Sequence, residues 1–196
     1  MCIRDSPNTD GLESLIRIEG NFNIRDNEEI TDLSGLANLN FVGGEFNISS
    51  TEALENLEGL ENLETIESAF IIENNESLRD FTGLSRLSGV EYDFFVIENE
   101  SLTSLTGLEL LVRTGAFRVS NNPSLTSLEG LNNLNEVDGA FIIAESDALE
   151  NLEGLENLET IEDALVVENN RSLIDLTGLS RLSRIEVGMF INENPS

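Results

Sequence analysis

Apolar residues recur along this chain with a fixed period. Gly-Leu appears at Gly11-Leu12, Gly35-Leu36, Gly59-Leu60, Gly83-Leu84, Gly107-Leu108, Gly130-Leu131, Gly154-Leu155 and Gly178-Leu179, spaced 24 residues apart except for one interval of 23. With each unit numbered from its glycine, apolar side chains fall at positions 2, 5, 8, 12, 14, 20 and 23; Leu60, Leu63, Ile66, Phe70, Ile72, Leu78 and Phe81 form one such set. A period of this length marks a repeat array in which each unit buries its apolar side against its neighbours. Positions 12 and 14 flank one outward residue, the alternation of a strand. Phe22/Ile24, Phe46/Ile48, Phe70/Ile72 and their counterparts therefore predict one parallel sheet running through the array. Inward residues three apart near positions 5–8 and 20–23 predict brief strands or turns at two further corners. No segment sustains a helical period. The expected fold is mainly β, a parallel β-helix-like solenoid of eight units.

One polar column is as regular as the apolar ones. Position 17 is Asn27, Asn75, Asn99, Asn122, Asn170 and Asn194, with Thr51 and Ser146 in the other two units. These residue types bond nearby backbone from turns, so the column is expected to face inward as a structural ladder. Residues 53–67 recur unchanged at 148–162, which indicates duplication of a four-unit block. The opening Met1–Ser6, MCIRDS, is expected to lie outside the repeat as a non-native leader resembling translated adapter sequence. Residues 7–196 then form a single solenoid, expected to be truncated at both ends. No basic-then-apolar leader and no long apolar run is present.

Composition narrows the chemistry. Ten basic residues, all arginine, oppose 38 acidic ones, for a net charge of −28. Such a surface repels nucleic acid and anionic membrane. Histidine and lysine are absent and the one cysteine, Cys2, lies in the leader. That removes the usual nucleophile–histidine pairs, histidine-bearing zinc sites and Schiff-base chemistry. The acids recur with the repeat, as in Glu61, Glu64, Glu67 and again Glu156, Glu159, Glu162, whereas a catalytic site is a unique cluster. No catalytic residue and no resident cofactor is expected. Calcium is the one cation with a motive, because Glu73-Asn74-Asn75-Glu76, Glu98-Asn99-Glu100 and Glu168-Asn169-Asn170 crowd oxygens into turns, though no EF-hand pattern occurs. Asn-x-Ser occurs at Asn47, Asn75, Asn99 and Asn170; the last three are the position-17 column, whose following serine belongs to the repeat.

Positions 11, 13 and 15 point out of the predicted sheet. Position 13 reads Asn23, Asn47, Ile71, Phe95, Arg118, Ile142, Val166 and Phe190, with Ile97 and several alanines beside it. This face is far less acidic than the rest, and an apolar row of that extent marks a contact site. Ile71, Phe95, Ile97, Arg118, Ile142, Val166 and Phe190 are the candidate ligand-binding residues.

The core Phe70-x-Ile72-x-x-Asn75 and its copies resembles the LxLxxN core of leucine-rich repeats. The fuller pattern over residues 11–196 is similar to the receptor L-domain group and to repeat-rich microbial surface proteins. The resemblance implies a right-handed solenoid displayed outside the cell that binds other molecules. Receptor L domains carry terminal cysteines, which this chain lacks, so the microbial surface version is the closer likeness. No family ligand motif is present to carry over. The leading reading is an extracellular recognition or adhesion module of a larger protein, with a protein or glycan ligand on its sheet face. A passive spacer is the alternative, and a calcium-assisted carbohydrate-active enzyme the third.

Overall fold

The computed structural model describes residues 1–4 and 6–194; Asp5, within the expected leader, and Pro195 and Ser196, at the end of the expected solenoid, lie outside them. The chain winds as a β-solenoid in which each repeat is one rung. Among the described residues the main sheet holds nine parallel strands: Cys2–Ile3, Phe22–Arg25, Phe46–Ser49, Phe70–Glu73, Phe94–Ile97, Phe117–Ser120, Phe141–Ala144, Ala164–Glu168 and Gly188–Asn192. Each pairs with the next rung so that equal repeat positions lie side by side, as in Phe46↔Phe70 and Phe70↔Phe94. Two-residue strands at positions 7 and 8 form a second face. Among the described residues the only helix is a single 3-10 turn at Ser34–Leu36, and no helix is long and apolar enough to cross a membrane.

The inward columns fill the interior. Leu60, Leu63, Ile66, Phe70, Ile72, Leu78 and Phe81 all have 0% exposure, and their counterparts through the middle rungs are buried too. At position 12, Phe22, Phe46, Phe70, Phe94, Phe117 and Phe141 stack ring on ring, with centroids 4.6–5.4 Å apart and planes within 18°. Strands about 4.8 Å apart bring identical side chains to stacking distance, which turns a repeated phenylalanine into one continuous column.

Polar columns carry the backbone round the corners. Position 16 sits in the left-handed region in every rung although none of its residues is glycine: Asp26, Ser50, Asn74, Glu98, Asn121, Glu145, Asn169 and Glu193 have φ of 53–58°. This bend ends the strand and turns position 17 inward. There Asn75 Oδ1 accepts from Thr51 N–H at 3.1 Å and from Thr51 Oγ1 at 2.6 Å, while Asn75 Nδ2–H donates to Ile48 O at 3.2 Å. Asn99, Asn122, Asn170 and Asn194 repeat the pattern, each amide reaching a carbonyl of the preceding rung. Two further columns cap turns. At position 22, Asp32, Asn56, Asp80, Ser104, Ser127, Asn151 and Asp175 each accept the backbone N–H two residues on. At position 3, Glu13, Glu61, Glu109 and Glu156 accept the N–H of the position-1 glycine. Part of the acidic composition is thus turn chemistry.

The position-1 glycine has a steric reason. Gly83 has φ +110°, and a Cβ there would lie 2.0 Å from Leu57 O of the preceding rung. Backbone rides on backbone at this corner, so no side chain fits.

Two further features were not read from the sequence. Within the expected leader, Cys2 and Ile3 pair with Asn23 and Ile24. Asn27 Oδ1 accepts from Ser6 N–H and Asn27 Nδ2–H donates to Ile3 O, each at 2.9 Å. Cys2, Ile3 and Ser6 thus take positions 13, 14 and 17 of a preceding rung. The short unit also has a consequence beyond spacing. Where Glu91, Tyr92 and Asp93 link the two faces in one rung, only Gly115 and Ala116 do so in the next. Glu91 N–H and Asp138 N–H donate straight down the ladder to Ile66 O and Thr114 O, but Gly115 N–H bends to Tyr92 O at 2.7 Å. The second face consequently splits into two four-stranded sheets, Arg17–Ile18 to Gly89–Val90 and Arg113–Thr114 to Arg184–Ile185, while the main sheet runs on unbroken.

Asn75→Ala strands a buried N–H and a buried carbonyl, and is expected to lower unfolding stability by about 1–3 kcal/mol, with Asn75→Leu no better. Gly83→Ala should cost about 1–3 kcal/mol from its dihedral alone, and more from the contact with Leu57 O. Denaturant melts of the three variants against the parent check both expectations; parent-like midpoints would mean the rungs relax away from these contacts.

Candidate functional site

The outer face of the main sheet is the most distinctive surface of the molecule. Register places Asn23, Asn47, Ile71, Phe95, Arg118, Ile142, Val166 and Phe190 in one row across the strands. Ile71, Phe95, Ile142 and Val166 are half-buried, because neighbours one strand away cover their flanks; Ile97, at position 15, is likewise half-buried. Arg118 is exposed, and Phe190 is 49% exposed in the last described strand. Small side chains at position 11, Ala69, Ala116, Ala140 and Ala164, leave the row standing proud along that edge.

The two ends of the row differ. Arg25 Nη2 pairs with Glu45 Oε1 at 3.0 Å, linking position 15 of one rung to position 11 of the next. The pair spans the asparagine end of the row. Asn47, read from the sequence as outward, is only 4% exposed there, and its Oδ1 and Arg25 Nε have no hydrogen-bond partner. From Ile71 onward no such roof exists. Arg118 donates its Nε–H to Ser120 Oγ at 3.0 Å, and among the described residues no carboxylate lies within 4.0 Å of it.

Beside the face, past the left-handed bend, runs an open groove of about 1140 Å³. Glu98, Glu100, Glu145, Asp147 and Glu193 line it, with Arg171 the one cation among the described lining residues, paired to Asp147 at 3.4 Å. Among the described residues, no group of three or more acidic, histidine or cysteine side chains could hold a metal ion. Asn75, Asn99 and Asn170 of the three crowded turn segments are fully buried in the ladder, so their amides face the core. Burial also closes Asn47, Asn75, Asn99 and Asn170 to glycosylation. The two carboxylates held below the ordinary range are turn caps away from the face. Glu13 is lowered first by the Gly11 N–H bond, and Asp175 by the Thr177 hydroxyl and then the Thr177 N–H.

The sequence marks the row but conceals the roof over Asn47 and the isolation of Arg118. Both depend on residues 20 or more positions away in neighbouring rungs. The left-handed column left one signal, the restriction of position 16 to Asp, Ser, Asn and Glu.

Unpaired acids on adjacent rungs repel across one strand spacing, and salt screens charges over about 8–10 Å at physiological ionic strength. The melting temperature is therefore expected to rise between low and molar sodium chloride. A flat or falling value would show that the acidic rows do not repel one another appreciably. A jump with millimolar calcium beyond sodium at equal ionic strength would signal a bound ion instead.

Comparison with protein families finds that the model described as Receptor L domain matches residues 4–131. Comparison with curated proteins found no match.

Proposed function

Because the chain belongs to the receptor L domain family, whose members are ligand-binding and not enzymatic modules of receptors, we propose that it is an extracellular recognition or adhesion module of a larger surface or secreted protein. Its ligand lies on the outer face of the main sheet, over Ile71, Phe95, Ile142 and Val166. The observation that carries this reading is the break in the row. A passive spacer has no need of an outward column that changes from asparagines, one of them covered, to half-buried apolar residues around one arginine without a carboxylate partner. The inward columns, by contrast, hold their chemistry along the array with one exception, the buried Thr114 among the isoleucines and valines of position 8.

The partner is a protein rather than a glycan. Half-buried isoleucine, valine and phenylalanine complete their burial against apolar side chains, and aromatic residues dominate such contacts. The acidic groove alongside supplies a polar rim and steers cationic parts of a partner.

The test is a binding screen of the chain against arrays of extracellular proteins and of glycans. Phe95→Ser combined with Ile142→Ser should weaken any protein hit by about 2 kcal/mol or more, with circular dichroism unchanged. Protein hits that bind the double variant as tightly as the parent would move the site elsewhere, and hits confined to neutral glycans would replace the protein reading.

A further inference from the structure

Resting on the sheet-face reading above, we infer the chemistry of the partner's contact strip: a protein segment that sets one carboxylate between apolar side chains, the carboxylate meeting Arg118. The chain has 10 arginines against 38 acids. Eight of the arginines lie within 4.0 Å of a carboxylate: Arg4, Arg17, Arg25, Arg79, Arg86, Arg113, Arg171 and Arg184. Among the described residues only Arg118 and Arg181 have no such partner. Arg181 lies at another corner and gives Nη1–H to Asn157 Oδ1 at 2.7 Å. Arg118 is exposed and, among the described residues, bonds only Ser120 Oγ, through Nε, which leaves both Nη groups without a partner.

Position decides what that means. Arg118 lies in register between Phe95 and Ile142, so a ligand that covers either apolar neighbour also takes water from the guanidinium. A cation removed from water without a counter-charge is strongly disfavoured, whereas a planar carboxylate meets the guanidinium fork with two parallel hydrogen bonds. The apolar contacts and the ion pair are therefore coupled, and the arginine acts as a selector. A wholly apolar strip leaves it stranded. A basic strip is repelled at that point. A polyanionic glycan satisfies Arg118 but offers nothing to Ile71, Phe95, Ile142 and Val166, and approaches a chain of net charge −28. Strands lie about 4.8 Å apart. The complementary strip thus places its acid about 5 Å from apolar groups on both sides, with further apolar groups one more rung away.

The surface can report its own preference without a known ligand. A displayed library of random peptides is panned on the full chain, and binders lost on Phe95→Ser are kept. The expected binders carry Asp or Glu flanked by apolar residues. Arg118→Met should raise their dissociation constants about thirtyfold, the loss typical of removing one partner of a buried charge pair. Changing the peptide's acid to its amide should cost the same on the parent chain and little more on Arg118→Met. Panning on Arg118→Glu should exchange the acid for lysine or arginine. Phe95-dependent binders that lack an acid and bind Arg118→Met as well as the parent would overturn this inference while leaving the face as the ligand site. Failure to recover any Phe95-dependent binder would remove both. Polygalacturonate displacing the peptides would overturn the protein source of the carboxylate.

Discussion

Everything in this molecule depends on one constraint, the parallel hydrogen-bonded stacking of each rung on the last at one strand spacing. That spacing places like residue over like residue. It makes a single phenylalanine position into a column of stacked rings, and a single asparagine position into runs of amides, interrupted at Thr51 and Ser146, that satisfy the backbone at the bends. It also sets the penalties. A glycine at position 1 is needed because the carbonyl of the rung below occupies the space a Cβ would fill. A left-handed residue at position 16 costs strain in each rung, and the asparagine ladder that follows offsets it.

Stacking explains how surface and scaffold are kept apart. Inward columns tolerate little change, because each side chain is packed by its equivalents above and below. Outward positions at 11, 13 and 15 meet their lateral neighbours only along their flanks. Chemistry can therefore vary from rung to rung there without disturbing the core, and the row passes from Asn23 and Asn47 through Ile71 and Phe95 to Arg118. The same independence lets the second face break where one residue is missing before Gly115, while the main sheet carries the candidate face across the break in register.

Acidity has two origins in this fold. Some acids are structural: Asp32, Asp80 and Asp175 close turns, and Glu61, Glu109 and Glu156 hold the glycine corner. Others, among them Glu98, Glu100, Glu145 and Glu193, form an open negative wall beside the sheet face. In such surroundings a lone arginine stands out more than any one acid, and Arg118 is the centre of the ligand proposal for that reason.

The sequence by itself determined the fold class and the inward columns, because a strict period names which residues share a face before any coordinate is known. It also marked position 17 as a polar column and the position-13 row as a surface unlike the rest. Tertiary structure alone decided what those rows do. The partners of Asn75, Gly83 and Gly115 lie one rung away in space, and a polar letter in the chain does not say whether a carbonyl or solvent faces it. Tertiary structure likewise drew Cys2 and Ile3 into the sheet, since an unfilled strand edge pairs with any short segment of matching alternation. It roofed Asn47 with the Arg25–Glu45 pair and left Arg118 bare, because ion pairs on a solenoid are set by rung-to-rung distance rather than by proximity in the chain.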